Sequence, residues 1–103
     1  MTNINTAYKF YSDPGHGWMA VSFKNFFAVG AKLEDVSNYS YARGKTLYLE
    51  EECDAAVFIK AFEKKMGHSI VFVEKFHERT PIRSYQPLYY NGVREAILAG
   101  EAV

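Results

Sequence analysis

The sequence predicts an α+β fold: a small, mostly antiparallel sheet of four or five strands, with one main amphipathic helix at about residues 53–66 packed on one face and a short C-terminal helix. Three observations lead there. Short runs rich in Tyr, Phe and Val are separated by clusters of Gly, Pro, Asp and Ser, the pattern of strands joined by tight turns. Only one long segment sustains a 3.6-residue apolar period. Of 103 residues, 49% are hydrophobic and 17% aromatic. That is enough apolar surface to offset the entropy of ordering one core and too little chain for a second domain, so residues 1–103 are expected to form a single domain.

Tyr8 to Tyr11 reads as a strand stopped by Ser12-Asp13-Pro14-Gly15-His16-Gly17, and Trp18 to Phe23 as the strand that follows this tight loop. Phe23, Phe26 and Phe27 are spaced for a short helix over 23–29, with Gly30 as its stop. Asn38 to Glu50 has the form of a hairpin. Tyr39-Ser40-Tyr41 leads in, Ala42-Arg43-Gly44-Lys45 turns, and Thr46-Leu47-Tyr48-Leu49 leads out. Glu50, Glu51 and Glu52 then place negative charge at the exposed N–H groups of the main helix, with Asp54 positioned to cap it. Ala55, Ile59, Phe62 and Met66 form its apolar stripe and Gly67 its stop. Ser69 to Phe76 reads as a central strand buried on both faces, because apolar residues run on both parities. Residues 77–87, with two prolines, read as an exposed loop, and Asn91 as the cap of a last helix through Leu98 that Gly100 ends.

The 12 Lys and Arg residues balance the 12 Asp and Glu, so no overall field draws the chain to nucleic acid or to anionic lipid, and a homodimer is an open expectation. A lone cysteine, Cys53, excludes an internal disulfide and a cysteine-based zinc cluster. The N-terminus lacks the basic and apolar regions of a leader, and no apolar run approaches the ~20 residues of a membrane span. A cytoplasmic protein with no membrane contact is the expectation. Eight Tyr and eight Phe are more rings than a domain this small easily buries, which implies an aromatic surface.

Asp13-Pro14-Gly15-His16-Gly17-Trp18 is the most distinctive stretch. Asp13 and His16 could form an acid/base pair above an indole floor, or the stretch is a turn whose Asp bonds its own backbone. His77-Glu78-Arg79 lacks the second histidine of a zinc motif, since Pro81 stands there, and Gly44-Lys45-Thr46 lacks the first glycine of a phosphate loop. No metal, no cofactor and no catalytic residue is expected. Cys53 reads as a structural or surface thiol, because the preceding glutamates oppose its ionisation. Aromatic and basic residues interleave twice, as Tyr39, Tyr41, Arg43 and Lys45 and as Arg79, Arg83, Tyr85, Tyr89 and Tyr90. Such a surface suits stacking on single-stranded nucleic acid, a protein interface, or rings covering a sheet under Arg stems. Neutral charge favours the protein interface.

Tyr11-Ser12-Asp13-Pro14-Gly15-His16-Gly17-Trp18, Tyr39-Ser40-Tyr41 with Arg43-Gly44, Tyr48 to Asp54 and Arg79 to Tyr85 together resemble small proteins of tailed-phage and prophage genomes, over most of residues 8–85. The resemblance implies origin and carries over no catalytic residue. It implies an accessory protein that binds a host protein stoichiometrically, an inhibitor of a bacterial defence or transcription complex being one form. The expected partner-binding residues are Asp13, His16, Trp18, Tyr39, Tyr41, Arg43, Lys45, Arg79, Arg83 and Tyr85. A nucleic-acid module using the same Tyr/Arg surface is the first alternative. A small enzyme or ligand-binding domain centred on Asp13, His16 and His77 is the second.

Overall fold

A computed structural model describes residues 3–103. Met1 and Thr2, the start of the segment read as leaderless, lie outside the described residues. The chain is α+β. Strands β1 (Ala7–Ser12) and β2 (Gly17–Ser22) form the first hairpin, and α1 (Phe23–Ala28) follows directly. β3 (Tyr41–Arg43) and β4 (Thr46–Glu50) form the second hairpin, closed by Gly44 and Lys45 with Gly44 at φ +59°. Helix α2 (Ala55–Met66) leads to β5 (Val71–Phe76), and β6 (Gln86–Pro87) and α3 (Val93–Leu98) complete the chain. The sheet order is β5-β1-β2-β4-β3-β6, antiparallel except where β5 runs parallel to β1.

Period-two alternation divides this sheet into two unlike faces. Tyr8, Met19, Val21, Ala42, Leu47 and Leu49 turn to the helices and join Phe23, Phe26, Phe58, Phe62 and Ile97 in one core. Tyr8 sits edge-on to Phe58 and Phe62, with ring centroids 5.1 and 6.0 Å apart. On the other face stand Tyr11, Trp18, Tyr41 and Tyr48, a layer of rings rather than aliphatic side chains.

The architecture departs from the sequence reading in five places. A sixth strand, β6, is contributed by the segment read as an exposed loop. That segment is a strap: Thr80 and Ile82 are buried, Pro81–Ser84 makes a 3-10 turn, and Tyr85 packs on Tyr48 with centroids 5.0 Å apart. The prolines rule out a central strand but not a docked turn. β5 is an edge strand with every residue exposed, not a central one. An apolar run on both parities is common to both situations, and only the absence, among the described residues, of a second neighbouring strand separates them.

Helix α2 begins at Ala55 with no acid in its first turn, and Asp54 makes no cap bond. Its buried carboxylate instead accepts from Ser37 N–H at 2.8 Å, Ser37 Oγ at 2.7 Å and Ser40 Oγ, tying the loop before β3 to the start of the helix. Phe58, outside the predicted stripe, is fully buried, whereas Ile59 is half-buried, because the helix is rotated to aim Phe58 and Phe62 at Tyr8. Gly92, at φ +82°, rather than Asn91 occupies the N-cap of α3.

Candidate functional site

Asp13 organises the β1–β2 turn. Its Oδ1 accepts from the backbone N–H groups of Gly15 and His16 at 3.0 Å each, the local bonding expected of a turn aspartate. Its remaining capacity is taken by Arg83, seventy residues away. Arg83 Nη2 lies 2.8 Å from Oδ1 and Nε 3.2 Å from Oδ2, with Thr80 N–H and Oγ1 more distant at 3.5 and 3.4 Å. The guanidinium is the main reason the Asp13 carboxyl titrates well below the usual carboxylate range; its burial opposes the shift, and the backbone donors reinforce it. The strap is therefore pinned to the turn by a bidentate ion pair whose carboxylate side chain is only 3% exposed.

The same guanidinium lies over Trp18, 5.1 Å from the ring centroid. Trp18 is 2% exposed, and its Nε1–H is, among the described residues, the one buried side-chain donor without an acceptor. His16 and Tyr41 flank the indole at 5.9 and 6.4 Å. Together His16, Trp18, Tyr39, Tyr41 and Arg83 line a cavity of about 270 Å³, completed by Glu50, Glu52 and Cys53.

With protein-family models, curated proteins and solved structures alike, this chain shows no match.

Half of the ten predicted residues line the cavity, and Asp13 supports it through Arg83. Arg43 and Tyr85 belong to an adjoining cluster, the guanidinium 5.0 Å from the Tyr85 ring centroid and Tyr85 against Tyr48. Arg79 lines a separate pocket with Arg83, and Lys45 sits at the β3–β4 turn, outside the cavity. Asp13 and His16 meet through backbone N–H rather than through the imidazole, whose Nδ1 is 3.9 Å from Glu50 Oε1, beyond hydrogen-bond range. His77 stacks on Tyr11 at 6.1 Å and lines a different pocket, with Tyr48, Ile82 and Tyr85. Among the described residues no group of three or more His, Cys, Asp or Glu is placed to hold a metal ion. No described helix is long and apolar enough to cross a membrane.

Sequence reasoning missed Glu50 and Cys53. Glu50 is 7% exposed, and its Oε2 accepts from Glu52 N–H at 3.0 Å and Cys53 N–H at 2.8 Å, so it shapes the turn before α2. The signal was present: continuing the alternation of Leu47 and Leu49 places Tyr48 and Glu50 on the face of Trp18, and Trp18 is indeed the cross-strand partner of Glu50. The Cys53 thiol is pushed up from its ordinary value, first by its hydrogen bond to Glu50, then by burial and the neighbouring carboxylates. The shift disfavours the reactive thiolate at this exposed position.

Proposed function

We propose that this chain is a phage-type accessory protein that works by stoichiometric binding to a host protein in the bacterial cytoplasm, as a binding protein and not an enzyme. The Trp18 cavity and the rings at its lip are the anchor site. A component of a defence or transcription complex is the class of target that fits the resemblance in sequence.

The observation that carries this reading is the convergence of His16, Trp18, Tyr39, Tyr41 and Arg83, from three separate parts of the chain, around one cavity. At about 270 Å³ the cavity lies at the small end of the ~300–1,000 Å³ typical of ligand sites and has room for an anchoring side chain of a partner. Tyr39 stands 70% exposed at its lip. Tyr, Trp and Arg around a partly desolvated pocket are the composition of interface hot spots. Of the three arginines of this surface, Arg83 is engaged with Asp13 and Trp18 and Arg43 lies over the Tyr85 ring, which favours a protein partner over nucleic acid.

The test is capture from bacterial lysate on tagged protein, with and without nuclease, comparing the wild type with a Tyr39→Ala/Tyr41→Ala variant. One host protein recovered in comparable amounts in both nuclease arms and lost from the variant supports the reading. Equal recovery on the variant removes this surface from it. Recovery only in the absence of nuclease transfers the Tyr/Arg face to nucleic-acid binding.

A further inference from the structure

Among the described residues, no strand pairs with the outer side of β5. On its inner side it pairs with β1 over six residues, flanked by Val71 N–H bonded to Thr6 and His77 N–H bonded to Ser12. Since both main-chain groups of a strand residue point to the same side, Val71, Val73 and Lys75 serve β1, while the N–H and C=O groups of Phe72, Glu74 and Phe76 face outward. The side chains are equally uncovered: Val71 is 55%, Phe72 43%, Val73 38% and Phe76 65% exposed. Edge strands are ordinarily kept short, charged or interrupted by proline. This one is six residues long and carries only Glu74 and Lys75 as charges.

The opposite edge differs. β6 has two residues, and one is Pro87, which has no N–H to donate. A head-to-tail array joining β5 of one copy to β6 of the next would therefore lack a ladder, whereas β5 can pair with β5 of a second copy. Such a contact is isologous and closes at two chains. Because the chain carries no net charge, two copies meet without long-range repulsion.

We propose that β5 is a self-association surface on which two copies pair antiparallel, joining their sheets into one, with Phe72 on the twofold axis. A twofold axis perpendicular to a continuous sheet keeps each side chain on its own face, so only registers that oppose residues of the same parity are allowed. Centred on Glu74, the pairing opposes two carboxylates. Centred on Val73, it sets Phe72 against Glu74 and Val71 against Lys75. Centred on Phe72, it stacks the two Phe72 rings and opposes Val71 to Val73 on both sides, a short pairing of three residues from each β5 with no like charges facing. This surface lies at the far end of the sheet order from β3 and β6 and shares no residue with the Trp18 cavity, so the two proposals stand or fall separately.

The register can be read directly. The main-chain groups of Phe72 face outward, so the Phe72 pair exchanges hydrogen bonds and its Cα atoms lie about 5.5 Å apart. That separation falls within the range a disulfide spans. In a Cys53→Ser background, Phe72→Cys, Val73→Cys and Glu74→Cys are each oxidised mildly and scored for covalent dimer. Sedimentation of the unmodified full chain and of Val73→Lys runs in parallel. The expected result is a wild-type dimer, a dissociation constant raised at least roughly tenfold by Val73→Lys, which places a lysine on the paired edge, and cross-linking fastest through position 72. A wild type that stays monomeric at about 100 μM, a concentration at which a dimer with a dissociation constant of that size is half-formed, overturns the proposal. So does a dimer indifferent to Val73→Lys, or one cross-linked preferentially through position 73 or 74.

Discussion

Replacing Asp54 by Ala tests whether one buried carboxylate holds the second hairpin to the helix layer. Asp54 is 1% exposed and accepts from Ser37 N–H, Ser37 Oγ and Ser40 Oγ; Ser40, at 0% exposure, in turn accepts from Glu50 N–H. A hydrogen bond to a charged group contributes about 1.5–3 kcal/mol, and a buried donor left without a partner costs a similar amount. Ser37 is half-buried and can turn to water, whereas Ser40 cannot. Counting the Ser40 bond in full and those of Ser37 in part gives a loss of about 3–5 kcal/mol on Asp54→Ala. Against the ~5–15 kcal/mol that usually holds a domain folded, this is a large fraction. At ~4–8 °C per kcal/mol for a domain of this size, Tm falls by at least about 12 °C. Asp54→Asn keeps an oxygen for Ser37 N–H but turns an amide N–H₂ toward two hydroxyls, and loses about 1–3 kcal/mol. Asp35→Ala, at an exposed carboxylate, stays within about 0.5 kcal/mol. Urea unfolding followed by the fluorescence of Trp18, the sole tryptophan, measures all three. An Asp54→Ala variant within about 1 kcal/mol of wild type would refute the reasoning, because an unsatisfied, fully buried Ser40 cannot cost so little.

Three further outcomes follow from the same geometry. A Cβ on Gly17 would lie 2.6 and 2.7 Å from ring atoms of Phe10, so Gly17→Ala destabilises by about 1–3 kcal/mol; a double-mutant cycle with Phe10→Leu then shows partial rescue, and strict additivity would sink the clash as the cause. Asp13 has its folded-state pKa depressed below 3.8, so its contribution is present above that pH and lost as acid protonates the folded state. The gap in urea midpoint between wild type and Asp13→Asn accordingly narrows as pH falls from about 5 to about 2, and a gap constant over that window contradicts the Arg83 pin. The Cys53 thiol, held protonated chiefly by Glu50, alkylates more slowly at about pH 8 than a free thiol, and Glu50→Gln speeds it; an unchanged rate in that variant argues against the carboxylate as the cause.

Much of this protein is legible from neighbours a few positions apart. The strand–turn–strand around Asp13, the helix begun at Phe23, the two-residue turn at Gly44 and the stop at Gly67 depend on local propensity and on backbone conformations that glycine adopts without strain. Alternation in β2 and β4 likewise assigns Met19 and Leu47 to one face and Trp18 and Tyr48 to the other. What periodicity leaves undetermined is the other side of each contact. The apolar run of β5 has the same pattern at the centre or the edge of a sheet, and only its placement beyond β1 leaves it bare. Arg83 and Asp13 each read alone as an interface cation and a turn aspartate. Their pairing across seventy residues follows from the strap folding back over the ring face, where a buried carboxylate with spare lone pairs requires a cation. Local sequence is enough for most of the elements, for the two faces of β2 and β4 and for the residue types available for binding. The tertiary structure decided which of them meet, because desolvation, ring packing and strand pairing act between groups whose separation in space bears no relation to their separation along the chain.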